Sequence, residues 1–224
     1  MIEWAKFYEK EAEFKRFIPE ENPDESLRTC LVMSLAPKRI ESVLDVGCGD
    51  GYLCSLFKSR GVTRVAGVDL VESRINYAKA HFQGIEFKAA EITKLPFDDG
   101  SFDLVTCVEV LEHLENPSAA LKELKRVSRK LVLFTVPNNE PVENVVCPHC
   151  LKTFPREGHI QSFSPESAVA FCRDNGLVVE KIEISKLLDQ GKIFTALFRP
   201  IIKKLFARYF KRGGYLGILC KVAK

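Results

Sequence analysis

Three groups of residues in this chain have the types and spacing to do chemistry. The first is Asp45-Val46-Gly47-Cys48-Gly49-Asp50-Gly51, where a carboxylate sits inside the short apolar run Ser42–Val46 and glycines follow at alternate positions. A strand that turns through glycines into a helix brings bare backbone against a ligand at the carboxyl edge of a sheet. A carboxylate in that strand is costly unless it binds something. A dinucleotide fingerprint needs its third glycine at the sixth position, where this chain has Tyr52, so the loop suits a ligand that comes close but has no pyrophosphate. The second group is Glu109-x-x-Glu112-His113. On one helical turn these three share a face, and with His159 as a further ligand they could hold Mg²⁺, Mn²⁺ or Zn²⁺. The bland alternative is a helix start with supporting contacts. The third group is Cys147-Pro148-His149-Cys150 with His159, a zinc-hairpin spacing in a loop, 138–162, long enough for a metal to organise. Free or redox-active thiols are its alternative. Both metal readings draw on His159, so at most one is complete. His113 and His159 are also the candidate catalytic bases.

These groups need elements to position them. Hydrophobic runs bounded by turn residues predict strands at 42–46, 63–68, 85–89, 102–108, 131–136, 177–184 and 214–222. Helical patterns fall at 52–59, 72–81, 118–128 and 165–174, the last with a serine cap and a proline start. The alternation predicts an α/β fold: a doubly wound, mostly parallel, seven-stranded sheet with helices on both faces. The last strand follows no ordinary crossover and is expected to insert antiparallel. Asp69 ends the second strand, eighteen residues after Gly51, where a carboxylate can accept from ribose hydroxyls or cap the next helix. Residues 3–17 carry Trp4, Phe7, Tyr8, Phe14 and Phe17 at roughly helical spacing, as a helix packed on the domain edge or as a lid over the site. The expected organisation is an N-terminal helical cap, 1–37, before a single ligand-binding domain, 38–224.

Of the 224 residues, 46% are hydrophobic and 28% charged, which suits a globular domain and no spanning segment. Eight cysteines scattered through apolar runs suggest buried thiols in a reducing compartment, and cytoplasmic localisation is the expectation. The net charge of +3 hides polarity: residues 1–26 hold four basic and eight acidic groups, and residues 181–224 hold eleven basic and two acidic. Within 187–212 apolar pairs alternate with lysines and arginines, predicting an amphipathic helical insertion. It packs on the sheet or a partner copy, or its segment 192–212 makes peripheral contact with an anionic membrane. Nucleic acid is a less favoured partner, because the aromatic residues lie on the apolar face.

The glycine loop resembles motif I of the class I methyltransferases that use S-adenosylmethionine (SAM). The stretch AEITKLPFDDGSFD is similar to the segment after strand three in the type 11 subfamily, and EVLEHL recurs in ubiquinone-pathway O-methyltransferases. The resemblance covers about residues 40–185. It implies SAM as cofactor, with Asp45 and the backbone of Gly47, Cys48 and Gly49 at the methionine end and Asp69 at the ribose. Glu91 and Ile92 would lie at the adenine, and Val108 and Glu109 at the transfer site, with Gly51 and Leu70 in the same cofactor-binding set. Glu91 stands where aspartate is commoner. The acidic cluster with a later histidine also looks like the metal site of small-RNA 3′-terminal 2′-O-methyltransferases. The expected activity is methyl transfer to a small-molecule or lipid-like acceptor at oxygen. RNA 2′-O-methylation with a metal, or a non-catalytic SAM-binding interaction module, are the alternatives.

Overall fold

The structure, a computed structural model, describes residues 4–18, 23–185 and 214–223. The predicted amphipathic insertion at 187–212 lies outside the described residues, as does any docking through it. Seven strands form one sheet: β1 (Ser42–Val46), β2 (Arg64–Asp69), β3 (Glu86–Ala89), β4 (Phe102–Val108), β5 (Ser128–Pro137), β8 (Leu177–Ser185) and β9 (Tyr215–Val222). Their spatial order is β3-β2-β1-β4-β5-β9-β8. β1 runs parallel to β2 and β4, and β4 parallel to β5, while β9 is antiparallel to both β5 and β8. The strand order reverses between β1 and β4, and ligands in open α/β sheets bind at that point, beyond the carboxyl ends of the strands. The last strand inserts antiparallel, as the missing crossover predicted.

The central strands are buried from end to end: Val43, Leu44 and Val46 on β1, and Leu104, Val105 and Cys107 on β4. That is why they read as continuous apolar runs. Helices cover both faces. On one side α5 (Pro117–Val127) buries Ala120, Leu121, Leu124 and Val127 along a single stripe. Its start is set by Pro117 and by Asn116, whose side chain accepts from the Ala119 N–H at 3.1 Å. On the same side lies α6 (Pro165–Asp174), which Ser164 and Ser167 start with reciprocal capping bonds. The other face carries α3 (Tyr52–Ser59), α4 (Glu72–His81) and α2 (Pro23–Leu35). Leu31 and Leu35 of α2 close on β9 so tightly that a Cβ at Gly217 would meet Leu35 Cδ1 at 2.6 Å. α2 therefore contributes Leu31, Val32 and Leu35 to the same core as β1 and β9.

Two segments differ from their sequence patterns. α1 (Trp4–Glu11) is shorter than the aromatic pattern over 3–17 and buries none of its own residues. The expected structureless loop after β5 contains a small hairpin, β6 (Asn144–Val146) and β7 (Thr153–Pro155), its base closed by a bridge between Asn138 and Phe163. Strands of three residues are too short for periodicity to reveal. No helix among the described residues is long and apolar enough to cross a membrane.

Candidate active site

The glycine loop is held from below by β2. The N–H groups of Gly47 and Cys48 both donate to the Val68 carbonyl, at 2.7 and 2.9 Å. Gly47 has φ +76°, and a Cβ there would meet Val110 Cγ2 at 2.4 Å, so two features demand glycine at this position. Asp69 then ties the loop from the side: one carboxylate oxygen accepts from the Gly49 N–H at 2.8 Å and the other from the Val71 N–H at 2.9 Å. An ionised carboxylate has about four acceptor sites, so Asp69 can hold this loop and still receive ribose hydroxyls. Burial raises its pKa. Asp45 is buried at the end of β1, accepting from the Thr106 hydroxyl at 2.7 Å, with the Cys54 thiol at 3.9 Å. Burial pushes its pKa up to about 7 against the Thr106 bond, which favours the charged form.

A buried ion cluster fastens the N-terminal segment over this loop. Asp50 is fully buried and receives Arg74 at 2.9 Å, Arg16 at 3.1 Å and the Phe17 N–H at 2.7 Å. Arg74, itself 2% exposed, also donates to the Lys15 carbonyl and pairs with Glu11 at 3.4 Å. Its guanidinium lies 4.1 Å from the centre of the Phe17 ring, and Phe17 covers Gly49. Leaving either buried charge unpaired would be expensive, so the cluster sets where the N-terminal segment lies. Trp4, Ala5 and Tyr8 thereby become one wall of the cavity.

The opposite end is built differently. Glu109 follows β4 with φ +54°, a strained conformation for a side-chain-bearing residue that recurs at functional sites. The chain then makes a single 3-10 turn, Leu111–His113, instead of the expected helical turn. Glu109 accordingly does not share a face with Glu112 and His113. It turns to Thr135 of β5, whose hydroxyl donates to it at 2.7 Å. Burial holds its pKa up at about 7, opposed by the nearby Arg28.

Glu112 is 1% exposed and neither of its carboxylate oxygens has a hydrogen-bond partner, while its main-chain carbonyl accepts from Ile160 and Gln161. Burial raises its pKa well above the carboxylate range. His113 Nδ1 lies 3.0 Å from the Tyr8 hydroxyl, and its ring centre is 4.8 Å from that of His159. Burial, then the neighbouring His159, lowers the His113 pKa to about 4. Ligand atoms of Glu112, His113 and His159 lie within 4.8 Å of one another, the one such group of three among the described residues. His159 thus joins the acidic cluster, and Cys147 and Cys150 stand apart from it in the turn of the β6–β7 hairpin.

These two ends enclose one cavity of about 500 Å³, in the size range of small-ligand sites. It is lined by Asp45, Gly47, Cys48, Gly49, Asp69, Leu70, Glu91, Ile92, Val108 and Glu109, and by His113. Gly51, expected in the cofactor-binding set, does not line the cavity, and its missing side chain lets Ala78 and Phe87 pack closely, each within 2.9 Å of a notional Cβ. Residues 44–135 match a family described as "Methyltransferase domain". The chain is 34% identical over 193 residues to a ubiquinone biosynthesis O-methyltransferase of Pseudomonas putida, covering 79% of this chain and 80% of the relative. A protein of the same name from Neisseria meningitidis is 30% identical over 188 residues, covering 78% and 77%.

The chain belongs to the class I SAM-dependent methyltransferases. The fold agrees. A SAM-dependent methyltransferase from Mesorhizobium loti superposes with a TM-score of 0.65 at 16% identity, over 89% of this chain and all of the other. One from Aquifex aeolicus gives 0.64 at 19% identity, over 96% and 98%. SAM is the cofactor this family implies. The bare loop at Gly47 to Gly49, bounded by acceptor carboxylates at Asp45 and Asp69, fits a ligand with both hydroxyls and positive charge.

Sequence patterns missed Arg74, Arg28 and Thr135, gave Asp50 no role of its own, and placed Tyr8 only within an edge helix or lid. Arg74 was hidden in a helix with no clear apolar stripe; the one available signal was an arginine opposite an aspartate within a glycine loop. Arg28 and Glu25 reach the cavity from α2. Nothing in their spacing marks them.

Proposed function

We propose that this methyltransferase acts on oxygen of a small, lipid-like acceptor carrying a hydroxyl group, with a divalent cation held at Glu112, His113 and His159. The observation that carries this reading is the pair of Glu112 oxygens that accept no hydrogen bond, buried beside two imidazoles, one of which, His113, lines the cavity. Native proteins rarely bury a carboxylate without partners, and a cation supplies them. One carboxylate with two histidines suits Mn²⁺ or Zn²⁺ better than Mg²⁺, which prefers oxygen ligands. A cation there would act as a Lewis acid on an acceptor oxygen.

When bound, SAM supplies a methyl already activated on a sulfonium, so the protein's tasks are alignment and exclusion of water. Asp69 and the Gly47–Gly49 backbone orient the donor, with Glu91 and Ile92 at its adenine. Trp4 and Tyr8 close the cavity and give the acceptor an apolar wall. A base must also receive the hydroxyl proton. His113, with a pKa near 4, is a weak base at neutral pH but a good neutral ligand. Glu109, near 7, is better matched to the task, and its Thr135 bond occupies only Oε1. The relatives' names, with their O-methyltransferase activity, agree with oxygen as the acceptor atom.

The test is methyl transfer from labelled SAM to phenols and catechols bearing an apolar tail, with RNA in parallel. Expected is label on phenolic oxygen, at a rate that falls on chelation and returns with Mn²⁺ or Zn²⁺. Label on RNA, or rates indifferent to chelator, would refute the acceptor or the cation respectively. SAM binding without transfer to any acceptor would favour a binding module.

A further inference from the structure

The β6–β7 hairpin takes no part in the cavity, yet its turn is built around two thiols. Cys147-Pro148-His149-Cys150-Leu151-Lys152 closes on itself twice: the Cys147 N–H donates to the Lys152 carbonyl, and the Leu151 N–H to the Cys147 carbonyl, both at 2.9 Å. Leu151, immediately after the second cysteine, is held at φ +58° although 76% of it is exposed, so no packing explains the left-handed backbone. Neither sulfur is buried: Cys150 is exposed and Cys147 partly so.

We propose that Cys147 and Cys150 form a two-thiolate site for zinc, with its remaining coordination positions open to a ligand from outside the hairpin. Two cysteines at C-x-x-C spacing in a tight turn are, once deprotonated, a soft-ligand pair that selects zinc over hard cations. A hairpin of two three-residue strands is marginal by itself, and a metal across its turn would stiffen it. The other cysteines cannot complete the set cheaply: Cys48, Cys54, Cys107, Cys172 and Cys220 are buried in the core and Cys30 lies on α2. His159 is committed to the Glu112 cluster. The open positions distinguish this site from a closed structural one.

The test is titration of the reduced full-length chain with Co²⁺ under anaerobic conditions, followed by Zn²⁺. A thiolate-to-cobalt absorption band should appear, saturate at about one cobalt per chain in Glu112→Gln, where the acidic cluster takes none, and be displaced by zinc. Cys147→Ser and Cys150→Ser should each abolish it, with SAM binding retained as evidence of folding. Cys30→Ser and Glu112→Gln should keep it, which separates this site from the acidic cluster. Hydrogen exchange at residues 144–155 should slow on zinc addition in the parent and not in Cys147→Ser. Absence of the band in the parent, its persistence in Cys147→Ser, or its loss in Glu112→Gln would each overturn the proposal.

Discussion

The two ends of the cavity are made by opposite means. At the glycine-loop end almost every polar group has a partner: Asp69 receives two main-chain N–H groups, Asp45 a hydroxyl, and Asp50 two guanidinium groups. Behind the other end the Glu112 carboxyl accepts no hydrogen bond and has the His113 ring nearby, Nε2 at 3.9 Å, while Glu109 is strained and His113 is held neutral against another imidazole. The first end is finished by the chain alone and awaits a ligand that reads its surface. The second leaves a buried carboxyl without a hydrogen-bond donor.

The comparison breaks most easily at the finished end. Gly47→Ala forces a side chain into a left-handed backbone and against Val110, and should weaken SAM binding by about a hundredfold, roughly 2.7 kcal/mol, by calorimetry. Binding within about threefold of the parent would mean that the loop gives way, and that its glycine is not required.

Asp45 sharpens the comparison through pH. Its folded pKa, near 7, lies above the ordinary 3.8, so the folded state holds the proton more tightly than the unfolded one. That contribution to stability is full below about pH 3.8 and is lost as pH rises through 7. Between pH 5 and 8 the cofactor-free protein should lose about 2–3 kcal/mol from this group, and Asp45→Asn should remove that part of the slope. Parallel urea-denaturation profiles for the two proteins across this range would contradict the assigned ionisation.

Glu112→Gln tests the second end. Burial keeps the Glu112 carboxyl protonated above the ordinary carboxylate pKa, and its contribution to stability is lost as pH rises, so the substitution should raise the stability of the metal-free protein at pH 8 by about 1–3 kcal/mol. The variant should also lose any rise in melting temperature on adding Mn²⁺ or Zn²⁺. A destabilised variant that still responds to the cation would place the site elsewhere. The smallest effect belongs to the lid: Tyr8→Phe removes one hydrogen bond to His113 and should lower kcat/KM by a factor of about five, near 1 kcal/mol. An unchanged value would mean that Tyr8 acts only by packing.

The contrast also explains what could be read in advance. β1, α3, α4, β4 and α6 follow their sequence patterns almost residue for residue, because each is a short apolar or amphipathic run with its own start and stop signals. The glycine loop and Asp69 were legible for a related reason: a βαβ unit places them together within about twenty-five residues. The helical turn assigned to Glu109, Glu112 and His113 failed, since a side-chain bond to Thr135, twenty-six residues away, turns Glu109 aside. The sharing of His159 between two metal readings could not be resolved by spacing either. The loop 138–162 is tethered at Asn138 and Phe163, and where His159 lands depends on how the chain between them folds.

Sequence alone therefore determined the strand and helix pattern, the donor loop and the kind of cofactor it suits, since these depend on local periodicity and on glycines that free the backbone. Only the tertiary structure decided that Arg74 and Asp50 fasten the N-terminal helix over the loop, that Tyr8 meets His113 across the cavity, and that the Glu112 carboxyl is buried without a hydrogen-bond partner. Those outcomes rest on desolvation and on contacts between residues up to 105 positions apart, quantities that no window of sequence contains.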